Sequence, residues 1–164
     1  MALEVRSGRF GFALLQDSTL LDWGVRRYPA DSVGTAVALR RVRTLLDRYS
    51  PSLVITRQTC PLSLKSSQSS GAVIQAIRTE LKNHSIKFEV STRKRIKRFF
   101  ATHGCNAKHE IASLLAERFA PLKWALPRRR RPWDSEAYAT AIFDAVAIAV
   151  AFTGTRSVKT RVSQ

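Results

Sequence analysis

The stretch ALEVRSGRFGFALLQDSTLLDWGVRR, residues 2–27, holds three β-favouring runs (2–5, 10–16 and 19–27) separated by Ser7-Gly8 and Asp17-Ser18. Short apolar runs cut by such pairs are hairpin punctuation, so the chain is expected to open as a three-strand antiparallel meander. Beyond residue 27, helices and strands alternate. Asp31 and Ser32 offer N-caps for a helix reaching Tyr49, with Val37, Val42, Leu45 and Leu46 inward and Arg40, Arg41, Arg43 and Arg48 outward, and Pro51 ends it. Leu53-Val54-Ile55, apolar throughout, suits a strand covered on both faces. Then come a Ser-rich loop over 60–70, a helix over 71–83, a strand over 86–90, a basic helix over 92–101 and a helix over 108–119. A meander followed by strand and helix alternation specifies an α/β domain, one mixed sheet with helices on both faces. The domain is expected to span 1–153, with 154–164 a basic, flexible tail.

Residues 137–153, AYATAIFDAVAIAVAFT, are apolar or small on every helical face, with Asp144 as the single charge. A helix apolar all round is buried, and Asp134 or Ser135 would cap it. A carboxylate inside such a helix costs several kcal/mol unless it is paired, binds a metal or takes up a proton. Asp144 is therefore either a structural acid paired with an arginine or a metal-binding or catalytic one.

The 164 residues carry 28 Lys and Arg against 12 Asp and Glu, a formal charge of +16. That excess is far beyond what solubility needs and points to a polyanionic partner, nucleic acid before an anionic membrane. The basic residues do not lie on an amphipathic helix flanked by Trp, and no uninterrupted apolar run reaches the roughly 18 residues of a membrane span. Cys60 and Cys105 are too few for a disulfide scaffold or a zinc site, which fits a reducing cytoplasm. Arg93-Lys94-Arg95-Ile96-Lys97-Arg98 packs five cations into six residues beside Phe99 and Phe100. Such a run can be a merely solvated face, but like charges repel, and a phosphate backbone would relieve the repulsion through counterion release. Arg128, Arg129, Arg130 and Arg131 form a second cluster just before the Asp144 helix, and Arg26, Arg27, Lys65, Arg156, Lys159 and Arg161 extend the basic surface. None of these residues forms a base-reading signature, so the nucleic acid is expected to be held by backbone and shape.

Three segments carry a resemblance. LEVRSGRFGFALL looks like the first hairpin of the ribonuclease-H-like nucleases, RuvC-type Holliday-junction resolvases in particular, with Glu4 at the position of a first-strand Asp. AIFDAVAIAVAF resembles the family's last helix, with Asp144 on its acid, and NAKHEIASLLAERF resembles the stretch in which a lysine, here Lys108, opens a helix facing the site. The resemblance implies a ribonuclease-H-like fold with a basic face for branched or duplex DNA, a structure-selective endonuclease with Glu4, Asp144 and Lys108 as catalytic residues, Glu4 and Asp144 as ligands of Mg²⁺ or Mn²⁺, and room for a homodimer.

The chain departs from that pattern at two of four carboxylates. The fourth-strand glutamate region reads Val54-Ile55-Thr56-Arg57, and Ala141 stands three residues before Asp144 where an Asp is expected. Two metals about 4 Å apart, holding the attacking and leaving oxygens, need several carboxylate oxygens, and Arg57 adds positive charge where a cation should bind. Glu136 lies eight residues from Asp144, roughly 12 Å along the helix, too far to share an ion. Glu89 reads as a strand surface residue, Glu110 as a first-turn acid of its own helix, and His103 and His109 as phosphate contacts or general bases. Two functions stay open: a metal-dependent resolvase-type endonuclease with a reduced site, and a catalytically degenerate nucleic-acid-binding module that kept fold and charge.

Overall fold

The computed structural model describes residues 1–31, 33–58, 66–129 and 137–161, and the side chains of all of these except 66–69 and 155–161. Ser32, Cys60, Lys65, Arg130, Arg131, Asp134, Ser135 and Glu136 lie outside the described residues, as do the side chains of Arg156, Lys159 and Arg161.

The expected meander forms β1 (Ala2–Arg6), β2 (Arg9–Gln16) and β3 (Thr19–Arg27), paired antiparallel. Gly8 turns the first hairpin at φ +74°, a left-handed conformation that glycine adopts without steric cost. After α1 (Gly34–Tyr49), β4 (Leu53–Arg57) pairs parallel with β1. α2 (Ser66–Asn83) then leads to β5 (Lys87–Ser91), parallel to β4, and the strand order is β3-β2-β1-β4-β5. α3 (Arg93–Ala101), α4 (Lys108–Arg118), a 3-10 turn (Ala120–Ala125) and α5 (Thr140–Arg161) complete the chain.

Strand alternation divides the core in two. Leu3, Val5, Phe10, Phe12 and Val54 pack against Ala38, Val42, Leu45 and Leu46 of α1 and Val73, Ile77 and Leu81 of α2. Ala2, Ala13 and Ile55, on the other face, meet Ile96 and Phe100 of α3, Leu115 of α4 and the apolar length of α5 from Ile142 to Phe152. This is the mixed sheet with helices on both faces that the order of elements specified.

Three boundaries differ from the sequence expectation. Val33, not Asp31, holds the α1 N-cap position, without a side-chain cap; Asp31 Oδ1 instead accepts from the Val33 amide at 3.1 Å. Gly34 explains the tight entry, since a Cβ there would stand 1.8 Å from the Pro29 carbonyl oxygen. α2 starts at Ser66 rather than Gly71, within the stretch expected to be loop. The stretch from Gly154, expected to fray, continues as helix to Arg161. Gly154 sits under the Phe99 ring, 2.4 Å from where a Cβ would be, so this glycine serves close α3–α5 packing rather than a helix end. Among the described residues no helix is long and apolar enough to cross a membrane.

Candidate active site

Glu4 lies at the centre of the sheet, on the face that α5 covers. Its cross-strand partner on β2 is Gly11, and there α5 comes down onto the sheet itself. A Cβ on Gly11 would stand 2.0 Å from the Ala141 carbonyl oxygen, so only glycine permits this approach. With Ala141 pressed on Gly11, Asp144 stands one helical turn further along the same face of α5, toward Glu4.

The two carboxylates are joined through arginine. Arg57 Nη2 donates to Glu4 Oε1, Arg6 Nε reaches the same oxygen at 3.4 Å, and Arg6 Nη2 donates to Asp144 Oδ2. Lys108 Nζ donates to Asp144 Oδ2 at 3.3 Å. The result is a row of alternating charges, Arg57, Glu4, Arg6, Asp144, Lys108. Glu4 is 1% exposed, and its burial pushes its carboxyl above the ordinary carboxylate value. The Arg57 charge pulls the other way, Asp144 reinforces the rise, and Arg6 and Lys108 oppose it more weakly.

Glu4, Asp144 and Lys108, named from sequence, are thus brought together. Arg6 was missed, although strand alternation could have found it: two residues from Glu4 on one strand means the same face. Register also decides which position stands where a fourth-strand acid would help. Ala2 pairs with Ile55 and Leu3 with Thr56, so one further step sets Arg57 beside Glu4. Thr56 shares the face of Leu3 and Val54, with its Oγ1 buried and unpartnered among the described residues, so it belongs to the opposite side of the sheet.

These residues do not fit a divalent metal centre. Arg57 donates to Glu4, the Arg6 guanidinium bridges the two carboxylates, and Ala141 is buried against Gly11. No group of three or more His, Cys, Asp or Glu converges among the described residues. Two carboxylates already engaged by three cations leave too few free oxygens and too much positive charge to hold Mg²⁺ or Mn²⁺.

A cavity of about 560 Å³ opens between α3, α4 and α5, reaching Glu4 and Asp144. Ile96, Ile111, Phe143 and Ile148 give it apolar walls, while Arg93, Lys97, Arg128 and Arg129 add cations to those of Arg57 and Lys108. Arg93 and Lys97 lie one turn apart on α3, and Lys94 and Arg98 form an exposed stripe beside them. Arg95 is half-buried, its guanidinium over the Phe152 ring at 5.5 Å. Arg26 and Arg27 stack similarly over Phe12 and Tyr138, at 5.0 and 4.8 Å.

The remaining candidates fall apart from the row of charges. The Glu110 carboxylate accepts from the Asn106 and Ala107 amides at 2.7 and 3.0 Å, which holds it below the ordinary carboxylate value and starts α4. Glu89 pairs with Lys87 at 3.6 Å on the edge strand. His103 sits in the turn after α3 with its Nδ1 3.0 Å from the Phe99 carbonyl oxygen, and His109 lines the cavity.

No family model and no curated protein matches the chain. Solved structures do. Thermus thermophilus RuvC in complex with Holliday junction substrate superposes with a TM-score of 0.69 at 18% identity, covering 94% of this chain and 92% of that one. The yeast mitochondrial Holliday junction resolvase Ydc2 gives a TM-score of 0.58 at 14% identity, covering 93% and 78%. Fowlpox virus resolvase with its Holliday junction DNA gives 0.51 at 13%, covering 94% and 99%. The resemblance seen in the three sequence segments therefore extends over nearly the whole backbone, and this chain has the ribonuclease-H-like fold of the RuvC-type resolvases.

Proposed function

We propose that this chain is a DNA-binding module of RuvC-type fold that holds branched or duplex DNA on its α3–α5 face without metal-dependent cleavage. One observation carries this reading: Arg57 stands at the register position beside Glu4 and donates to it, so the place of a third metal-binding carboxylate is filled by a cation. The fold shared with proteins solved on Holliday junctions supports a junction as the preferred DNA, and the exposed cations of α3 supply contacts to its phosphates. Arg128 and Arg129 flank the same cleft.

The endonuclease reading draws on the convergence of Glu4, Asp144 and Lys108. To bind Mg²⁺ or Mn²⁺ there, both arginines would have to leave a buried acid, against a desolvation penalty of several kcal/mol. The experiment that separates the readings incubates the protein with a labelled four-way junction and Mg²⁺, Mn²⁺ or EDTA, following binding by gel shift and cleavage by denaturing gel. Binding in all three conditions without cleavage is the expected result. Metal-dependent nicking that disappears with Asp144→Asn would establish the enzyme instead.

A further inference from the structure

We infer that Arg57 forms a metal-free seat for a DNA backbone phosphate, taking over at its end of the row the task that divalent ions perform in a two-metal nuclease site. The inference rests on the DNA-binding reading above and assigns the groups that contact the strand deepest in the cleft. In a two-metal site the ions bridge phosphate oxygens to protein carboxylates. Here the carboxylates are already bridged by the protein's own cations, and the outermost members of the row, Arg57 and Lys108, both line the cavity.

Arg57 is suited to face both ways. A guanidinium carries five N–H donors in a rigid fork. Among the described residues its partner is Glu4 Oε1, reached through Nη2, and its side chain is 28% exposed. Donors directed away from Glu4 match the bidentate geometry of a phosphate, and the buried carboxylate behind fixes the fork in place. Lys108, 48% exposed, approaches from α4 with its Nζ on Asp144, so the two cations stand at opposite ends of the row. The surrounding charge favours an anion: Arg57, Arg93, Lys97, Lys108, Arg128 and Arg129 line the cavity, against Glu4 and Asp144.

The test compares the unmodified protein, the Glu4→Gln/Arg57→Met double variant and the Arg93, Lys94, Lys97, Arg98→Ala quadruple variant, titrated against a fluorescent four-way junction over a salt series. All are measured in EDTA and in Mg²⁺, with thermal melts to verify folding. The double variant removes the buried acid with its partner, so no charge is left stranded. The unmodified protein should bind at least as tightly in EDTA as in Mg²⁺, whose ions compete for the same phosphates. The double variant should bind about tenfold more weakly, with the salt slope reduced by about 0.9, the signature of one lost phosphate contact. A folded double variant that binds as tightly as the parent, or parental binding that collapses in EDTA, would overturn the inference. If the double variant does not fold, Arg57→Lys decides. It keeps the charge beside Glu4 but loses the fork, so about threefold weaker binding is expected and unchanged binding refutes the seat. The quadruple variant tells the two readings apart. Its failure to weaken junction binding would sink the DNA-binding reading itself, whereas weakening there with none at Arg57 would sink the phosphate seat alone.

Discussion

On the α1–α2 side of the sheet, Glu80 takes two bonds from Arg43, at 2.5 and 2.8 Å, and a third contact from His84 at 3.2 Å. On the α5 side, Glu4 meets Arg57 and Arg6. The chemistry of the two pairs is the same, yet the acids move in opposite directions: Arg43 holds Glu80 below the ordinary carboxylate value, while Glu4 stands above it. Access to water makes the difference. Glu80 is only 8% exposed, but its partner Arg43 is 53% exposed and opens that pair to solvent, whereas Glu4 sits beneath α5 at 1% with Arg57 at 28%. A guanidinium partner offsets the burial of a carboxylate only in part, and the remainder is a cost the rest of the fold must carry.

The sharpest way to break this contrast is to delete the arginine from each pair. Arg57→Ala should destabilise the protein by up to about 3–5 kcal/mol, because it leaves the buried Glu4 carboxylate to the longer 3.4 Å contact from Arg6. Arg43→Ala should cost markedly less, since water can replace the lost bonds. Urea denaturation of both variants checks the ranking, and equal losses would mean that the two acids share one environment.

Glycine substitutions probe the packing of the same two sides. Gly11→Ala drives a methyl into the Ala141 carbonyl and should cost about 1–3 kcal/mol, seen as a lower melting temperature. Gly71→Ala on α2 meets no atom within 4 Å and should stabilise by about 0.4–1 kcal/mol, as the unfolded chain loses freedom.

The smallest effect is in pH dependence. Because the folded state raises the Glu4 pKa above its ordinary 4.5, the native protein binds more protons than the unfolded chain between that value and the raised one. Stability from this group is therefore greatest at the acid end and falls as pH rises through that window. The stability of the parent relative to Glu4→Gln should decline over the same interval when denaturation is repeated across pH. A relative stability that climbs instead would show that Arg57 outweighs burial.

The fold was largely legible because its cues are local. The Ser7-Gly8 and Asp17-Ser18 breaks, the apolar 53–55 run and the all-apolar 137–153 stretch each specify an element without knowledge of the others. The errors arose where a contact outside the element set the boundary, as Pro29 does for Gly34 and the distant Phe99 for Gly154. The site was half legible. Asp144 declares itself as a lone charge in an apolar helix, and the segments around Glu4 and Lys108 carried the resemblance. Arg6 was within reach of strand alternation. Whether Thr56 or Arg57 stands beside Glu4 depends on the parallel register of β1 and β4, which no local pattern encodes, and a one-residue slip exchanges the two faces.

The contact between Gly11 and Ala141 sets the spacing of the candidate site by backbone against backbone rather than by adjustable side chains. The separation of β1 from α5 is thus a property of the scaffold, independent of which charges line the gap. An engineer seeking to convert this cleft into a cation-binding one would start at position 57, where Arg57→Glu reverses the sign beside Glu4 on an unaltered frame, and not at Thr56 on the far side. At position 57 the obstacle to such a conversion is electrostatic rather than mechanical, and the exchange of charge can be followed by calorimetry with divalent ions.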